Sequence, residues 1–146
     1  MERLKCDKME GKCLILMVGL PYSGKSTEAK AMSKEHEAPI VCPDTIRIAL
    51  HGKKFIPETE PYVWAIAKTM VKALFLSGHN TIILDATNTS KERRDAWDSK
   101  EWNTTHCYIE TDVDTCKQRA KDAGDDVMVL IIDKMSMKLD LIGLNL

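Results

Sequence analysis

Gly19-Leu20-Pro21-Tyr22-Ser23-Gly24-Lys25-Ser26-Thr27 is the stretch that decides the fold. It fits the pattern G-x-x-x-x-G-K-[ST], and its surroundings fit the same mechanism. The unbroken apolar run Cys13-Leu14-Ile15-Leu16-Met17-Val18 precedes it, and helix-favouring residues follow from Lys25 to about His36. An apolar run without alternation suits a strand covered on both faces, as in a parallel sheet. Glycines at both ends of the loop permit backbone angles that a Cβ forbids. The loop can then turn its N–H groups inward as a nest for a phosphate, and the helix N-terminus adds partial positive charge. Lys25 is expected to reach the β- and γ-phosphates, and the Ser26 hydroxyl to ligate Mg²⁺. All nine residues from Gly19 to Thr27 are therefore candidates for nucleotide binding, with ATP and Mg²⁺ as the expected cofactors.

Outward from the loop, strands and helices alternate. Pro39 to Cys42 is a second short apolar run, and Thr45 to Leu50 reads as a short helix stopped at His51-Gly52. The charged, proline-containing stretch from Lys53 to Pro61 reads as a loop leading into a helix. Tyr62 to Leu76 carries Val63, Ile66, Ala67, Met70, Val71 and Leu74 at helical spacing, and Ser77-Gly78 stops it. Thr81-Ile82-Ile83-Leu84 is a third buried run, Ser90 to about Lys100 a charged helix, and Thr105 to Ile109 a fourth strand. Two helices are expected near 112–123 and 126–138, split by Gly124, with a last short strand from Leu139. This alternation predicts a three-layer α/β P-loop NTPase fold. Its mainly parallel sheet has four to five strands with helices on both faces.

The chain has 146 residues and a mass of 16.5 kDa, which suits one domain over 1–146. Lys and Arg number 21 against 22 Asp and Glu, a formal net charge of −1. That excludes a surface coated in positive charge but not a local basic groove. No apolar run reaches the roughly 18 residues of a membrane span, and the N-terminus lacks a signal-like apolar stretch. A soluble, cytoplasmic protein without membrane contact is expected. Cys6, Cys13, Cys42, Cys107 and Cys116 show no metal-like spacing and read as thiols of a reducing compartment, with no disulfide required. His36, His51, His79 and His106 show none either. Trp64, Trp97 and Trp102 read as packing residues, since no basic stripe interleaves them.

Three acidic and basic positions bear on the reaction. Asp44 lies just past the second strand, with Arg47 one helical turn on. The carboxyl ends of parallel strands line one crevice, so Asp44 can orient or deprotonate a hydroxyl there, or simply cap the helix. Arg47 can clamp a phosphate bidentately. Asp85 ends the third strand, the place of a carboxylate near the Mg²⁺ shell. Asn88, Thr89 and Ser90 can cap the next helix or face a substrate, and Arg93 and Arg94 lie on a charged run whose commoner fate is solvent.

Gly19-x-Pro21-x-Ser23-Gly24-Lys25-Ser26-Thr27, Asp44-x-x-Arg47 and Leu84-Asp85-Ala86-Thr87-Asn88 with a downstream Arg resemble the polynucleotide 5′-kinase-like P-loop kinases. These belong to the zeta-toxin-like small kinases, and the likeness runs from about 13 to 138. The resemblance implies transfer of the ATP γ-phosphate to a hydroxyl, foremost the 5′-OH of a DNA or RNA end. It implies Asp44 as general base, Arg47 as a contact to the acceptor's phosphate, and Asp85, Asn88 and Arg94 beside them. It also implies a helical lid over about 112–138, with Arg119 as its first arginine; the second falls on Ala123, a departure from the family pattern. Two other functions remain open: a kinase of a nucleoside, nucleotide or sugar, and a non-catalytic nucleotide-binding module. Oligomeric state is not legible.

Overall fold

A computed structural model describes residues 11–52 and 55–143. Four parallel strands form one sheet in the order β2-β3-β1-β4. They are β1 (Cys13–Val18), β2 (Ile40–Val41), β3 (Thr81–Leu84) and β4 (Asn103–Tyr108). Six helices accompany them: α1 (Lys25–His36), α2 (Pro43–His51), α3 (Glu60–Leu76), α4 (Lys91–Asp95), α5 (Val113–Asp122) and α6 (Asp126–Gly143). A single 3₁₀ turn, Pro57–Thr59, leads into α3. The expected three-layer α/β fold is present.

Every side chain of β1 is buried, because the strand is central and covered on both faces. Its alternate residues enter two separate cores. Leu14 and Leu16 join Ile46 of α2, Val63, Ala67, Val71 and Phe75 of α3, and Trp97 and Trp102. Cys13, Ile15 and Met17 join Ala29 and Met32 of α1, with Ile83 and Cys107. A third cluster ties α5 to α6 through Cys116, Ala120 and Ile132, and takes in Leu20 of the phosphate loop.

Several boundaries differ from expectation. Helix α2 begins at Pro43, because proline suits the first turn, where no intrahelical N–H partner exists. Helix α4 stops at Asp95, well before Lys100. Trp97 and Trp102 are drawn into the core there, and the Trp102 indole donates to Trp97 O at 2.9 Å, turning the chain toward β4. Met70 is exposed, and Phe75 takes the buried place on α3. The strand expected from Leu139 is absent up to Gly143, where α6 continues; residues 144–146 lie outside the described residues. Cys6, Lys53 and Lys54 lie outside them too. Cys42, Cys107 and Cys116 are free thiols, whereas Cys13 is disulfide-bonded, a departure from thiols throughout. Among the described residues no helix is long and apolar enough to cross a membrane.

Candidate active site

The phosphate loop leaves β1 at Gly19 and enters α1 at Lys25. Gly19 has no room for a side chain: a Cβ would sit 2.9 Å from Ser23 Oγ and 3.2 Å from Ile109 Cβ. Gly24 has φ +94°, which only glycine adopts without strain. Tyr22, with φ 63°, also turns the loop in the left-handed region. Several loop carbonyls are already engaged within the protein. Leu20 O accepts from Ser23 N at 3.2 Å, Tyr22 O from Arg119 Nη1 at 3.0 Å, and Ser23 O from Thr111 Oγ1 at 2.6 Å. The first N–H groups of α1, from Lys25 onward, have no intrahelical acceptor. Ser23 Oγ is buried with no hydrogen-bond partner. Free donors, a positive helix end and an orphaned buried hydroxyl together fit an anionic phosphate group.

Asp85 ends β3 directly beside this loop. It is buried, and its Oδ2 accepts from Ser26 Oγ at 2.8 Å. A hydroxyl and a carboxylate in contact are hard oxygen donors of the kind Mg²⁺ uses when phosphates complete its shell. Among the described residues no group of three or more His, Cys, Asp or Glu gathers into a separate metal cage. The residues present thus fit Mg²⁺ bound together with a nucleotide.

Asn88 and Arg94 each donate inside the fold, while the buried Asn88 Oδ1 is left without a hydrogen-bond partner. Asn88, at φ 48°, is buried and donates from Nδ2 to Met17 O at 2.7 Å. Arg94 is buried and donates from Nη1 to Asn88 O at 2.9 Å. Gly19 N bonds Thr87 O at 3.0 Å. The segment after Asp85 is therefore stitched to the end of β1, and it holds Asp85 against Ser26. Ser90 caps α4, accepting from Arg93 N at 3.2 Å.

A second group of side chains gathers on α2, α3 and α4. Asp44 stands in the first turn of α2 with its side chain 69% exposed. Arg47, 13% exposed, donates from Nη1 to Asp44 Oδ1 at 2.7 Å. Its other edge meets Glu60 with two parallel bonds, Nε to Oε2 at 2.9 Å and Nη2 to Oε1 at 2.6 Å. This is the fork geometry that makes Arg–carboxylate pairs rigid. Burial pulls the Arg47 pKa down, but the bonds from Glu60 and Asp44 outweigh it and raise it overall. The same Arg47 bonds hold Glu60 below its ordinary carboxylate value, against the opposing effect of burial. Trp64, one turn along α3 from Glu60, has Arg47 at 5.7 Å and Arg93 at 3.8 Å from its ring centroid.

Sequence reasoning missed Glu60 at this site and read Trp64 as a packing residue, while Arg93 was legible only as part of a charged run. Glu60 opens α3 beside Pro61, so its acid read as part of a charged helix start. Only the packing of α2 on α3 brings it to Arg47.

On the other side of the loop, Arg119 of α5 donates to Tyr22 O. Tyr22 in turn donates its hydroxyl to Asp125 Oδ2 at 3.0 Å, at the α5–α6 turn. That contact is the first cause raising the Tyr22 pKa. Ala123 stands exposed at the end of α5 and offers no charge. Lys117 is paired with Asp133 of α6 at 2.9 Å, so it braces the hairpin.

A family model described as AAA domain (AAA_33) matches residues 14–136. Among solved structures, the chain is similar to one in a Pnkp1/Rnl/Hen1 complex, with TM-score 0.68 and 24% identity over 79% of this chain and 41% of that one. It is similar to another in the Pnkp1/Rnl/Hen1 RNA repair complex, with TM-score 0.76 and 20% identity over 99% of this chain and 49% of that one. A gluconokinase from Sinorhizobium meliloti 1021 gives TM-score 0.57 and 16% identity over 88% of this chain and 74% of that one. At these identities the likeness is one of fold. The chain spans less than half the length of the first two. No curated protein matches the sequence.

Proposed function

The chain belongs to the AAA_33 family of AAA domains, and we propose that it is an ATP-dependent kinase whose acceptor is the 5′-hydroxyl end of a polynucleotide. Its fold is that of the P-loop kinases. The observation that carries the acceptor reading is Arg47, oriented by Glu60 on one edge of its fork and by Asp44 on the other. A rigid guanidinium beside an exposed carboxylate suits a hydroxyl flanked by a phosphate. The solved structures of an RNA repair complex share the fold and add to this reading.

In the proposed mechanism, ATP and Mg²⁺ supply the transferable phosphoryl group and neutralise its charge. The loop amides and Lys25 hold the phosphates, while Ser26 and Asp85 provide the oxygens for Mg²⁺. Asp44 receives the proton of the accepting hydroxyl and fixes its line of approach. Arg47 holds the phosphate next to that hydroxyl. Arg119, already at the rim of the loop, lies on the side where transition-state charge develops. Positioning and charge stabilisation do most of the work in such transfers. Residues 1–146 act as one kinase unit with α5 and α6 as its lid, and the proposed setting is the cytoplasm.

The test is incubation with γ-labelled ATP and a panel of 5′-OH DNA, 5′-OH RNA, nucleosides, nucleotides and sugars. Label on the polynucleotide ends supports the proposal. Label confined to nucleosides or sugars overturns it in favour of a small-metabolite kinase, a reading that the gluconokinase likeness favours. Nucleotide binding without transfer to any acceptor points to a binding module, for which Ala123 is the argument.

A further inference from the structure

The α2–α3–α4 cluster contains a cation that the proposed mechanism does not use. Arg93 lies half-buried, with its guanidinium carbon 3.8 Å from the Trp64 ring centroid. Its backbone N–H is taken by the Ser90 cap, which fixes the base of the side chain. Among the described residues no carboxylate forms an ion pair with it and no oxygen accepts from its side chain. The nearby carboxylate, Glu60, has both oxygens engaged by Arg47. Burial lowers the Arg93 pKa most, Glu60 acts against this, and Arg47 adds to it. A guanidinium seated 3.8 Å from the centroid of an indole ring is already partly stripped of water, while its N–H donors stay available. Arg47 and Arg93 share one indole, at 5.7 and 3.8 Å, so their guanidinium carbons are less than about 10 Å apart.

We propose that Arg93, seated on Trp64, forms a second phosphate subsite beside Arg47. It would take the next phosphodiester of a single-stranded polynucleotide acceptor. This rests on the polynucleotide reading above and deepens it: Arg47 meets the phosphate nearest the accepting hydroxyl, and Arg93 meets the one beyond. The chain would then favour acceptors with two or more phosphates over those with one. A net charge of −1 is compatible with this, because two placed guanidinium groups do the gripping.

The probes are a 5′-hydroxyl DNA tetranucleotide and a 5′-hydroxyl dinucleoside monophosphate, each fluorescently labelled at its 3′ end. Their binding to the full chain is followed by anisotropy between 50 and 200 mM salt. The wild type should bind the tetranucleotide more tightly. Arg93→Gln should lose about tenfold in tetranucleotide affinity, and its log–log salt slope should fall by about 0.7, the value of one phosphate contact on a single strand. Its binding of the dinucleoside monophosphate should be unchanged. Arg93→Lys should keep the slope and recover only part of the affinity, since an ammonium neither forks nor stacks. Should Arg93→Gln unfold, Arg93→Met retains the apolar stem over Trp64 and carries the same expectation. Equal affinity and slope in wild type and variant overturn the subsite. So does an equal loss for both probes, which assigns Arg93 to the framework, and so does a wild type that binds neither. Labelling with ATP is run in parallel. Arg93-dependent binding without phosphate transfer would sink the kinase reading alone, and transfer with Arg93-independent binding would sink the subsite alone.

Discussion

At the scale of single residues, the proposed site divides into groups that would hold phosphate and groups that hold those groups in place. Lys25→Ala should abolish phosphate transfer and weaken ATP binding, read by turnover and calorimetric titration. Asp44→Ala should abolish transfer while leaving ATP binding intact; unchanged turnover would remove it from the role of base. Gly19→Ala forces a Cβ against Ser23 Oγ and Ile109, so nucleotide affinity should fall at least tenfold. Glu60→Gln removes the doubly bonded carboxylate of the half-buried Arg47 cation, leaving it Asp44, and should cost about 1–3 kcal/mol of stability at pH 7. Because Arg47 depresses the Glu60 pKa, this stabilisation is complete above the ordinary value of 4.5. It is lost as pH falls through the depressed value. The gap in urea midpoints between wild type and Glu60→Gln should therefore narrow below about pH 4. The sequence shows Lys25, Ser26, Asp44 and Asp85 through motif and strand ends alone. It does not separate Arg93 from Arg94, because a helix of five residues is too short to display a period. The register that buries Arg94 under Asn88 and lays Arg93 on Trp64 is set by the packing of Trp97.

At the scale of elements, β1 and α1 are legible to the residue, since an apolar run, a glycine loop and a capped helix all agree. The two-residue β2 is legible only as a short apolar run before Pro43. The helical tail escaped because an apolar end reads equally as strand or helix, and only packing on α5 decides it. Helices α5 and α6 have their own small core and touch the phosphate loop through Leu20 and Tyr22. Tyr22→Phe removes the hydroxyl bond to Asp125 and should speed amide exchange in α5 and α6 while leaving β1 protected. Unchanged amide exchange in both helices of this variant would show that the hydroxyl does not hold them to the loop.

At the scale of the whole molecule, nucleotide and fold should be linked. Mg²⁺·ATP at a hundred times its Kd adds about 2.7 kcal/mol to the folded state. For a chain of this size that is a rise of several degrees in Tm, and Lys25→Ala should lose it. The sheet also has a consequence for how damage is inherited by function. Strand β1 faces α1 with Cys13, Ile15 and Met17, and faces α2 and α3 with Leu14 and Leu16. Under the proposed function, α1 would hold the nucleotide, and the acceptor would meet the cluster built on α2, α3 and α4. The parity of a position in this strand thus foretells the phenotype of its truncation. A cavity at even-numbered Leu14 or Leu16 should chiefly raise the KM for the acceptor, and one at odd-numbered Ile15 the KM for ATP. Five consecutive residues would then read out as two interleaved genetic classes.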